Sequence, residues 1–320
     1  MHGYKGCLEN ERPALQKLKA FFKSISNQNV DDILTSWVYD PMSDCCDWER
    51  VKCNGMTGRI IELSLNSTGE HTYDFSDGFP LLNLSLFSPF EELQTLDLSD
   101  NFFKGCYQNE GSDSLRRLKQ LKTLNLGYNS LDDSSLSYLT SLTSLTTLIL
   151  EYNNMVEVFK PNRGLGNLRK LELLNLQFNK INGSLSSEVL SNLKRLKFLD
   201  LNDNSISGSA KGICELKNLL ELDISRNYFD GELPYCFSNM TNLHILDLSS
   251  NELSGKLPSC IANLTSLQYL SFAENNFEGL FSFNLLANLS KLQIDKIYKV
   301  VELDQMNELE ANSTELVKNK

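Results

Sequence analysis

The sequence contains no run of eighteen or more apolar residues, only three histidines, and fewer basic than acidic side chains. Without a long apolar run, we expect no transmembrane helix in these 320 residues. The net charge of -11 would repel both phosphate backbones and anionic lipid headgroups. Nucleic acids and anionic membrane surfaces are therefore disfavoured as partners.

Motifs of the common catalytic centres are also missing. The sequence has no Gly-x-Ser-x-Gly, no His-Glu-x-x-His and no P-loop, and no histidine lies near a patterned acid or nucleophile. Four aspartates recur at one position of an internal repeat and are the candidates for paired general acids: Asp97, Asp200, Asp223 and Asp247. Aspartate at that position is typical of a solvated face, so we expect no enzyme and no cofactor.

Half of the eight cysteines lie in the first 53 residues: Cys7, Cys45, Cys46 and Cys53. A zinc site is disfavoured, because the spacing contains no Cys-x2-Cys pair and no histidine lies near the last of them. The alternative is a disulfide-linked cap, which requires an oxidising compartment. The first residues, "MHGYKGC", contain no apolar leader, and this conflicts with secretion.

One pattern, Leu-x-x-Leu-x-Leu-x-x-Asn, recurs eight times at intervals of 23 to 28 residues, as in "LHILDLSSN" from Leu243. The alternating leucines predict one short strand per copy, with the leucines inward and the intervening residues outward. Copies in phase predict a solenoid whose strands stack into a parallel sheet. "IIELSL" from Ile60 predicts an earlier strand, before an irregular insertion at 66–92.

Each copy ends in an asparagine, where the chain turns inward past the strand. A buried asparagine can donate to and accept from backbone groups of neighbouring turns, so we expect an internal ladder. Its members are Asn101, Asn129, Asn153, Asn179, Asn204, Asn227, Asn251 and Asn275. A glycine follows several of them at a fixed offset, as a turn with positive φ requires. These glycines are Gly183, Gly208, Gly231, Gly255 and Gly279.

Copies such as "ELSGKLP" (252–258) resemble the plant type of leucine-rich repeat. The resemblance implies an α/β solenoid, a right-handed superhelix with a parallel β-sheet on its concave side and short 3₁₀ helices on its convex side. A second short strand would follow the glycine. Residues 59–290 would form the repeats, with about nine strands. The stretch 291–320 predicts an irregular repeat or a charged tail without a C-terminal cap.

Residues 1–58 resemble the N-terminal helical cap of that family. "NERPALQKLKAFF" (10–22) places apolar residues on one helical face, and "LTSW" and "DCCDWERVKC" follow. The resemblance implies two disulfides, Cys7–Cys45 and Cys46–Cys53. It also implies that Trp37 and Trp48 pack against the helix. Where the family has glycine two residues after the second tryptophan, this chain has Arg50.

The remaining cysteines leave alternatives. Cys236 and Cys260 occupy the same position in adjacent copies, where stacked turns approach disulfide distance, but Cys214 competes for Cys236. A buried free thiol is the other possibility, and Cys106 has no obvious partner. Seven N-glycosylation sequons indicate secretion only weakly: Asn66, Asn83, Asn182, Asn239, Asn263, Asn288 and Asn312. Glycans at the aligned Asn239, Asn263 and Asn288 would keep partners from one face.

The residue before each ladder asparagine is predicted to line the concave sheet, and it is aromatic in three consecutive copies. These three aromatic residues and three neighbouring apolar residues form the candidate ligand site. The aromatic residues are Tyr128, Tyr152 and Phe178, and the neighbours are Ile149, Leu173 and Phe198. Contiguous exposed aromatics favour a partner site for an extended peptide or a glycan-bearing protein ligand. Alternatively, these rings pack at the edge of the repeat, or a glycan or loop covers them.

The copies from "ICELKNLLELDIS" onward resemble plant receptor-like proteins, cell-surface receptors without a kinase. This resemblance implies a non-catalytic ectodomain at the extracellular face of the plasma membrane that perceives a peptide or elicitor in immunity or development. Its signal would pass through a co-receptor leucine-rich-repeat kinase. Because the family ectodomain is longer, we expect a truncated gene product, which would also remove the conflict over the compartment. The alternatives are a secreted inhibitor similar to polygalacturonase-inhibiting proteins, and a truncated decoy or pseudogene product.

Overall fold

The structure, a computed structural model, describes residues 7–26, 30–40, 43–69, 80–107, 117–161, 164–278 and 289–292. Within them, seventeen strands follow one another: β1 (Val51–Cys53), β2 (Ile60–Ser64), β3 (Leu81–Leu82), β4 (Thr95–Asp97), β5 (Gly105–Cys106), β6 (Thr123–Asn125), β7 (Thr147–Ile149), β8 (Leu173–Asn175), β9 (Asn182–Gly183), β10 (Phe198–Asp200), β11 (Ser205–Gly208), β12 (Glu221–Asp223), β13 (Tyr228–Glu232), β14 (Ile245–Asp247), β15 (Glu252–Gly255), β16 (Tyr269–Ser271) and β17 (Asn276–Phe277).

The main sheet has ten strands in the order β1-β2-β4-β6-β7-β8-β10-β12-β14-β16. All neighbours pair in parallel except β1 and β2, which are antiparallel. From β4 to β14, each strand buries its central leucine and leaves its first and third residues half-buried, as the alternation in sequence predicts. The predicted leucine-rich-repeat solenoid is therefore confirmed.

A second parallel sheet runs in the order β17-β15-β13-β11-β9, and β3, inside the predicted irregular insertion, pairs with β5 in the following copy. The recurring glycines do have positive φ, between 72° and 78°, at Gly183, Gly208, Gly231 and Gly255. The prediction that the second strand follows the glycine is wrong. Strands β9, β11 and β15 end at the glycine and β13 extends one residue beyond it, because the positive φ turns the chain out of its extended path. Gly279 lies outside the described residues.

Helices α1 (Glu11–Ile25) and α2 (Val30–Ile33) precede the first strand, and further helices connect the strands on the convex side. The described α-helices among these are α3 (Leu136–Leu139) and α4 (Ser187–Leu190). The described 3₁₀ helices are Cys45–Asp47, Leu84–Phe87, Asp133–Ser135, Leu165–Asn167, Ala210–Glu215, Tyr235–Asn239 and Ser259–Asn263. In the turns that the structure describes, such short helices cover the leucine core.

The asparagines form a continuous ladder between the turns. In Asn204, Nδ2 donates to the carbonyl oxygens of Leu176 (2.9 Å), Leu201 (3.1 Å) and Asn202 (3.3 Å), and Oδ1 accepts from the N–H of Ile181 (3.0 Å). The other seven repeat this arrangement, so each joins its own turn to the preceding one. These bonds satisfy backbone groups that the turn would otherwise bury without a partner.

The N-terminal cap is held by helix α1 and two disulfides, Cys7–Cys45 and Cys46–Cys53. Apolar residues one turn apart on α1 are buried, among them Leu15, Leu18 and Phe22. The rings of Trp37 and Trp48 stack on each other with centroids 5.9 Å apart. Both are buried in the core cluster that includes those helix residues.

Arg50 occupies the position where the family has glycine, and its φ is 66°. Its Nη1 donates to the carbonyl oxygens of Ser64 (3.1 Å) and Asn66 (2.6 Å) and approaches Oγ1 of Thr68 (3.4 Å). Thr68 stands at the place of a ladder asparagine in the first turn. The guanidinium therefore supplies donors at the end of the ladder.

The structure pairs Cys236 with Cys214 on adjacent turns, which selects one of the alternatives that the sequence left open. The side chain of Cys260 lies outside the described part. Cys106 is a buried free thiol in β5, and burial raises its pKa to about 12. Within the described residues, no helix is both long and apolar enough to cross a membrane.

Candidate ligand-binding face

Four rows of side chains make up what we call the concave face. Two rows are the first and third residues of the parallel strands, and two are the second and third residues after each strand, as with Thr95, Asp97, Ser99 and Asp100 around β4. Pairing in register places equivalent residues of neighbouring copies side by side. Adjacent strands are about 4.8 Å apart, so a row presents one side chain at each such step.

The fourth row has an unusual backbone, because each residue before a ladder asparagine has φ between 50° and 56°. Its members are Asp100, Tyr128, Tyr152, Phe178, Asp203, Arg226, Ser250 and Glu274. A left-handed conformation costs an ordinary residue roughly 1–2 kcal/mol. The amide N–H of most of these residues donates to the next copy, for example from Tyr152 to the Gln177 carbonyl at 3.0 Å, which offsets that cost.

The three aromatic members of this row stack face to face. Ring centroids are 4.4 Å apart for Tyr128 and Tyr152 and 4.3 Å apart for Tyr152 and Phe178, with interplanar angles of 16° and 13°. Tyr128 is 49% exposed and Tyr152 is 38% exposed. Each ring covers its neighbour's face, so a ligand would meet ring edges and tyrosine hydroxyls.

The other three predicted site residues lie on the same face but in different rows. Phe198 and Leu173 are register partners at the starts of β10 and β8, and Ile149 ends β7. On the same face, Oε2 of Glu151 accepts from Nδ2 of Asn175 (2.8 Å) and Nε2 of Gln177 (2.5 Å). The structure therefore brings the three aromatic residues together in a stack, pairs Leu173 with Phe198, and places Ile149 beside Asn175 in another row. The role of all six residues in ligand binding stays a prediction.

Acidic side chains dominate the concave face, which holds ten acids and one base, Arg226. The acids are Glu62, Asp97, Asp100, Glu151, Asp200, Asp203, Glu221, Asp223, Asp247 and Glu274. Two of the described ion pairs involve them, Lys52–Glu62 (3.2 Å) and Arg226–Asp203 (3.6 Å). The other eight acids have no ion pair among the described residues, so the face carries an excess of negative charge.

Three of these acids, which we call the aspartate row, stand in register on adjacent strands: Asp200, Asp223 and Asp247. Each turns one carboxylate oxygen toward its own chain, accepting from the N–H two residues on at 2.9–3.0 Å. Burial, followed by the charges of Asp223 and Glu151, raises the pKa of Asp200 to about 6. Burial and the charge of Asp247 also raise the pKa of Asp223.

At the end of the row, the Tyr269 hydroxyl donates to Oδ2 of Asp247 at 2.9 Å. Burial and this bond raise the Tyr269 pKa to about 12. The sequence offered two roles for four recurring aspartates, a solvated face or paired general acids, and the structure adds a third. The four are Asp97, Asp200, Asp223 and Asp247. These aspartates terminate strands through local hydrogen bonds, and the signal in the sequence was the Asp-x-Ser of "DLS" and "DIS", with Asp-x-Asn in place of it at Asp200.

The sequons differ in accessibility. Asn182, Asn239 and Asn263 are exposed, and the last two end equivalent 3₁₀ helices one copy apart. Asn66 and Asn83 are half-buried. Asn288 and Asn312 lie outside the described residues, and glycosylation at all seven stays a prediction.

Two family models match the chain. A leucine-rich repeat N-terminal domain matches residues 8–54, and a leucine-rich repeat region matches residues 171–318. Receptor-like protein 14 of Arabidopsis thaliana is 47% identical over 99% of this chain and 35% of its own length. Receptor-like protein 9a of the same plant is 49% identical over 93% of this chain and 30% of its own length. The chain thus spans about a third of the length of these curated relatives.

Among solved structures, the ectodomain of the Arabidopsis thaliana membrane receptor kinase GASSHO1/SCHENGEN3 is similar to this chain. It was crystallised in complex with Casparian strip integrity factor 2. The two share 30% identity with a TM-score of 0.69, over 89% of this chain and 32% of that ectodomain.

Proposed function

Since the chain belongs to the leucine-rich-repeat receptor-like proteins of plants, we propose that its concave face is the ligand-binding surface of a non-catalytic recognition domain for a peptide. The observation that carries this proposal is the aromatic stack, in which two tyrosines stay substantially exposed although each packs against a neighbouring ring. Rings already held in place lose little conformational entropy when a partner binds. Exposed tyrosine is also enriched at the energetic centres of interfaces.

The proposal extends to the setting in which such a domain acts. Three disulfides support an oxidising compartment. We propose the extracellular face of the plasma membrane, on the strength of the family. On the same ground, we propose that the signal passes through a co-receptor leucine-rich-repeat kinase. Perception of a peptide or elicitor in immunity or development is the biological role we propose, on the strength of the family.

The non-catalytic part of the proposal is supported by the aspartates. One carboxylate oxygen of each aspartate in the row is held by its own backbone, and no histidine, cysteine or further base is among the bonded partners of Asp200 or Asp223 in the described residues. Such carboxylates are arranged to end strands and to present charge.

Panning a random-peptide phage library against the immobilised chain tests the proposed face. Enriched peptides should bind the Tyr128→Ser variant about tenfold more weakly, because that tyrosine contributes exposed ring edge and hydroxyl. The matched control is Tyr235→Ser, since Tyr235 is 74% exposed in a convex 3₁₀ helix. Circular dichroism verifies that both variants fold. Peptides that lose affinity for Tyr235→Ser and keep it for Tyr128→Ser would place binding on the convex side and overturn the proposal.

A further inference from the structure

The charge of the concave face restricts the kind of peptide that it can accept. Ten acidic and one basic side chain line the four rows, and most of the acids are half-buried. A ligand that covers such a face removes water from these carboxylates, which costs free energy unless the ligand provides opposite charge or hydrogen bonds. An acidic peptide would add repulsion, and a neutral one would leave the carboxylates uncompensated.

Within this face, Asp200 and Asp223 are the best-placed carboxylates for a cation. They are register partners on β10 and β12, and therefore about 4.8 Å apart along the row. In each, Oδ1 accepts local bonds, while Oδ2 has no hydrogen-bond partner among the described residues. The third member of the row differs, since Oδ2 of Asp247 already accepts from Tyr269. Burial, and after it the charge of Asp223, raises the pKa of Asp200, and a bound cation would relieve the repulsion between the two carboxylates.

Apolar side chains stand in the row next to Asp200, whereas the residue in register with them on the strand of Asp223 is Glu221. Phe198 begins the strand that Asp200 ends, and Leu173 is its register partner on the neighbouring strand. A guanidinium or ammonium group near Asp200 therefore has an aromatic ring and an aliphatic side chain on one flank. Arginine suits such surroundings, because its planar group pairs with carboxylates and packs on aromatic rings.

We propose that the concave face binds an extended, positively charged peptide segment, whose arginine or lysine side chains pair with Asp200 and Asp223 while its apolar side chains contact Phe198 and Leu173. This inference rests on the proposed function and specifies the ligand class of the same face. A metal ion is a weaker candidate, since the described residues contain no group of three or more His, Cys, Asp or Glu side chains placed to hold one.

The test uses three labelled synthetic peptides of equal length with alternating alanine: one with arginine, one with serine and one with glutamate. Fluorescence anisotropy at about 150 mM salt, where the Debye length is about 8 Å, limits the contribution of distant charge. The arginine peptide should bind at least about tenfold more tightly than the serine peptide, and the glutamate peptide should not bind. An arginine peptide that binds no better than the serine peptide overturns the proposal.

The informative variant is Asp200→Asn combined with Asp223→Asn. Asparagine is native at the same position in other copies, where Oδ1 of Asn125 and Asn175 accepts the equivalent backbone N–H at 3.0 Å, so the fold should be retained. Binding of the arginine peptide should weaken about tenfold through the loss of two ion pairs. The control, Glu188→Gln with Glu215→Gln, removes two exposed charges from convex helices and should change binding less than about twofold.

Equal weakening in both double variants would mean general attraction to net charge and would overturn the proposal. The failure of this ligand class can be distinguished from the failure of the proposed function. If peptides selected from the random library bind the concave face but are neutral or acidic, the ligand class inferred here is wrong and the ligand-binding face stands. If selected peptides avoid the concave face altogether, both proposals fail.

Discussion

Each ladder asparagine connects two turns through one small side chain. In Asn204 the amide donates to three carbonyl groups and accepts from one N–H, all of them in turns that pack on the leucine core. Its side chain is among the buried polar groups. A side chain of similar size without the amide would leave several backbone groups without partners.

Asn204→Ala should therefore lower the free energy of unfolding by about 1–3 kcal/mol. Asn218→Ala is the control, since Asn218 is exposed and, among the described residues, its amide bonds the Lys194 carbonyl alone, which water can reach. Urea denaturation followed by circular dichroism measures both. Similar losses in the two variants would contradict the structural importance of the ladder.

At Arg50, a backbone conformation that costs free energy is combined with side-chain hydrogen bonds that stabilise the fold. Its φ of 66° is a conformation that glycine adopts freely, and its guanidinium bonds the first turn, where no ladder asparagine stands. We expect Arg50→Gly to change stability little, because relief of the backbone offsets the lost bonds. Arg50→Ala should be less stable than Arg50→Gly by about 1–2 kcal/mol, since it loses the bonds and keeps the cost. Thermal unfolding measures the difference, and equal stability of the two variants would refute it.

At the scale of elements, the sequence predicted what depends on periodicity. The Leu-x-Leu alternation places the strands, and the asparagine after each strand places the ladder, because both are dictated by burial. The left-handed backbone conformation of residues such as Tyr152 could not be predicted from residue type, since Asp, Tyr, Phe, Arg, Ser and Glu all occur at this position. Stacking at 4.3–4.4 Å depends on the step between copies, which only the assembled sheet defines.

The junction between the cap and the sheet contains a buried carboxyl group. Glu11, the first residue of α1, is fully buried, and its Oε2 accepts from the N–H of Ile60 at 3.1 Å. Its Oε1 has no partner among the described residues. Burial raises its pKa from 4.5 to about 7, opposed by the Ile60 bond and by the charge of Arg59, while Glu92 adds a small increase. The protonated form is thus favoured in the folded protein.

Because of this raised pKa, the contribution of Glu11 to the stability of the folded protein should decrease as the pH rises. The folded protein binds the proton of Glu11 more tightly than the unfolded chain, so the contribution to stability is complete below pH 4.5 and is lost as the pH rises through about 7. In Glu11→Gln the melting temperature should fall less over that range than in the wild type, because glutamine is neutral at every pH and still accepts from Ile60. The contributions of Asp200 and Asp223 are the same in both proteins, so they cancel when the two melting-temperature curves are compared. Calorimetry across the pH series checks this, and parallel curves would contradict it.

At the scale of the whole molecule, charge of one sign is concentrated on one face. The chain carries a net charge of -11, and the concave face alone has ten acids against one base. Salt screens the attraction within ion pairs such as Arg226–Asp203, and it also screens the repulsion between the carboxylates. With ten acids to one base, repulsion outweighs attraction on this face, so screening should stabilise the folded chain.

Raising sodium chloride from about 10 mM to about 150 mM shortens the Debye length from about 30 Å to about 8 Å, and the melting temperature should rise. The rise should be smaller in Asp200→Asn with Asp223→Asn, which removes two adjacent charges from the row. It should stay close to the wild-type value in Glu188→Gln with Glu215→Gln, because those charges lie on convex helices away from the row. Equal salt responses in all three proteins would mean that the aspartate row is already compensated. A cationic ligand would then gain little from pairing with it, so this measurement on the free chain also constrains the ligand that the concave face can bind.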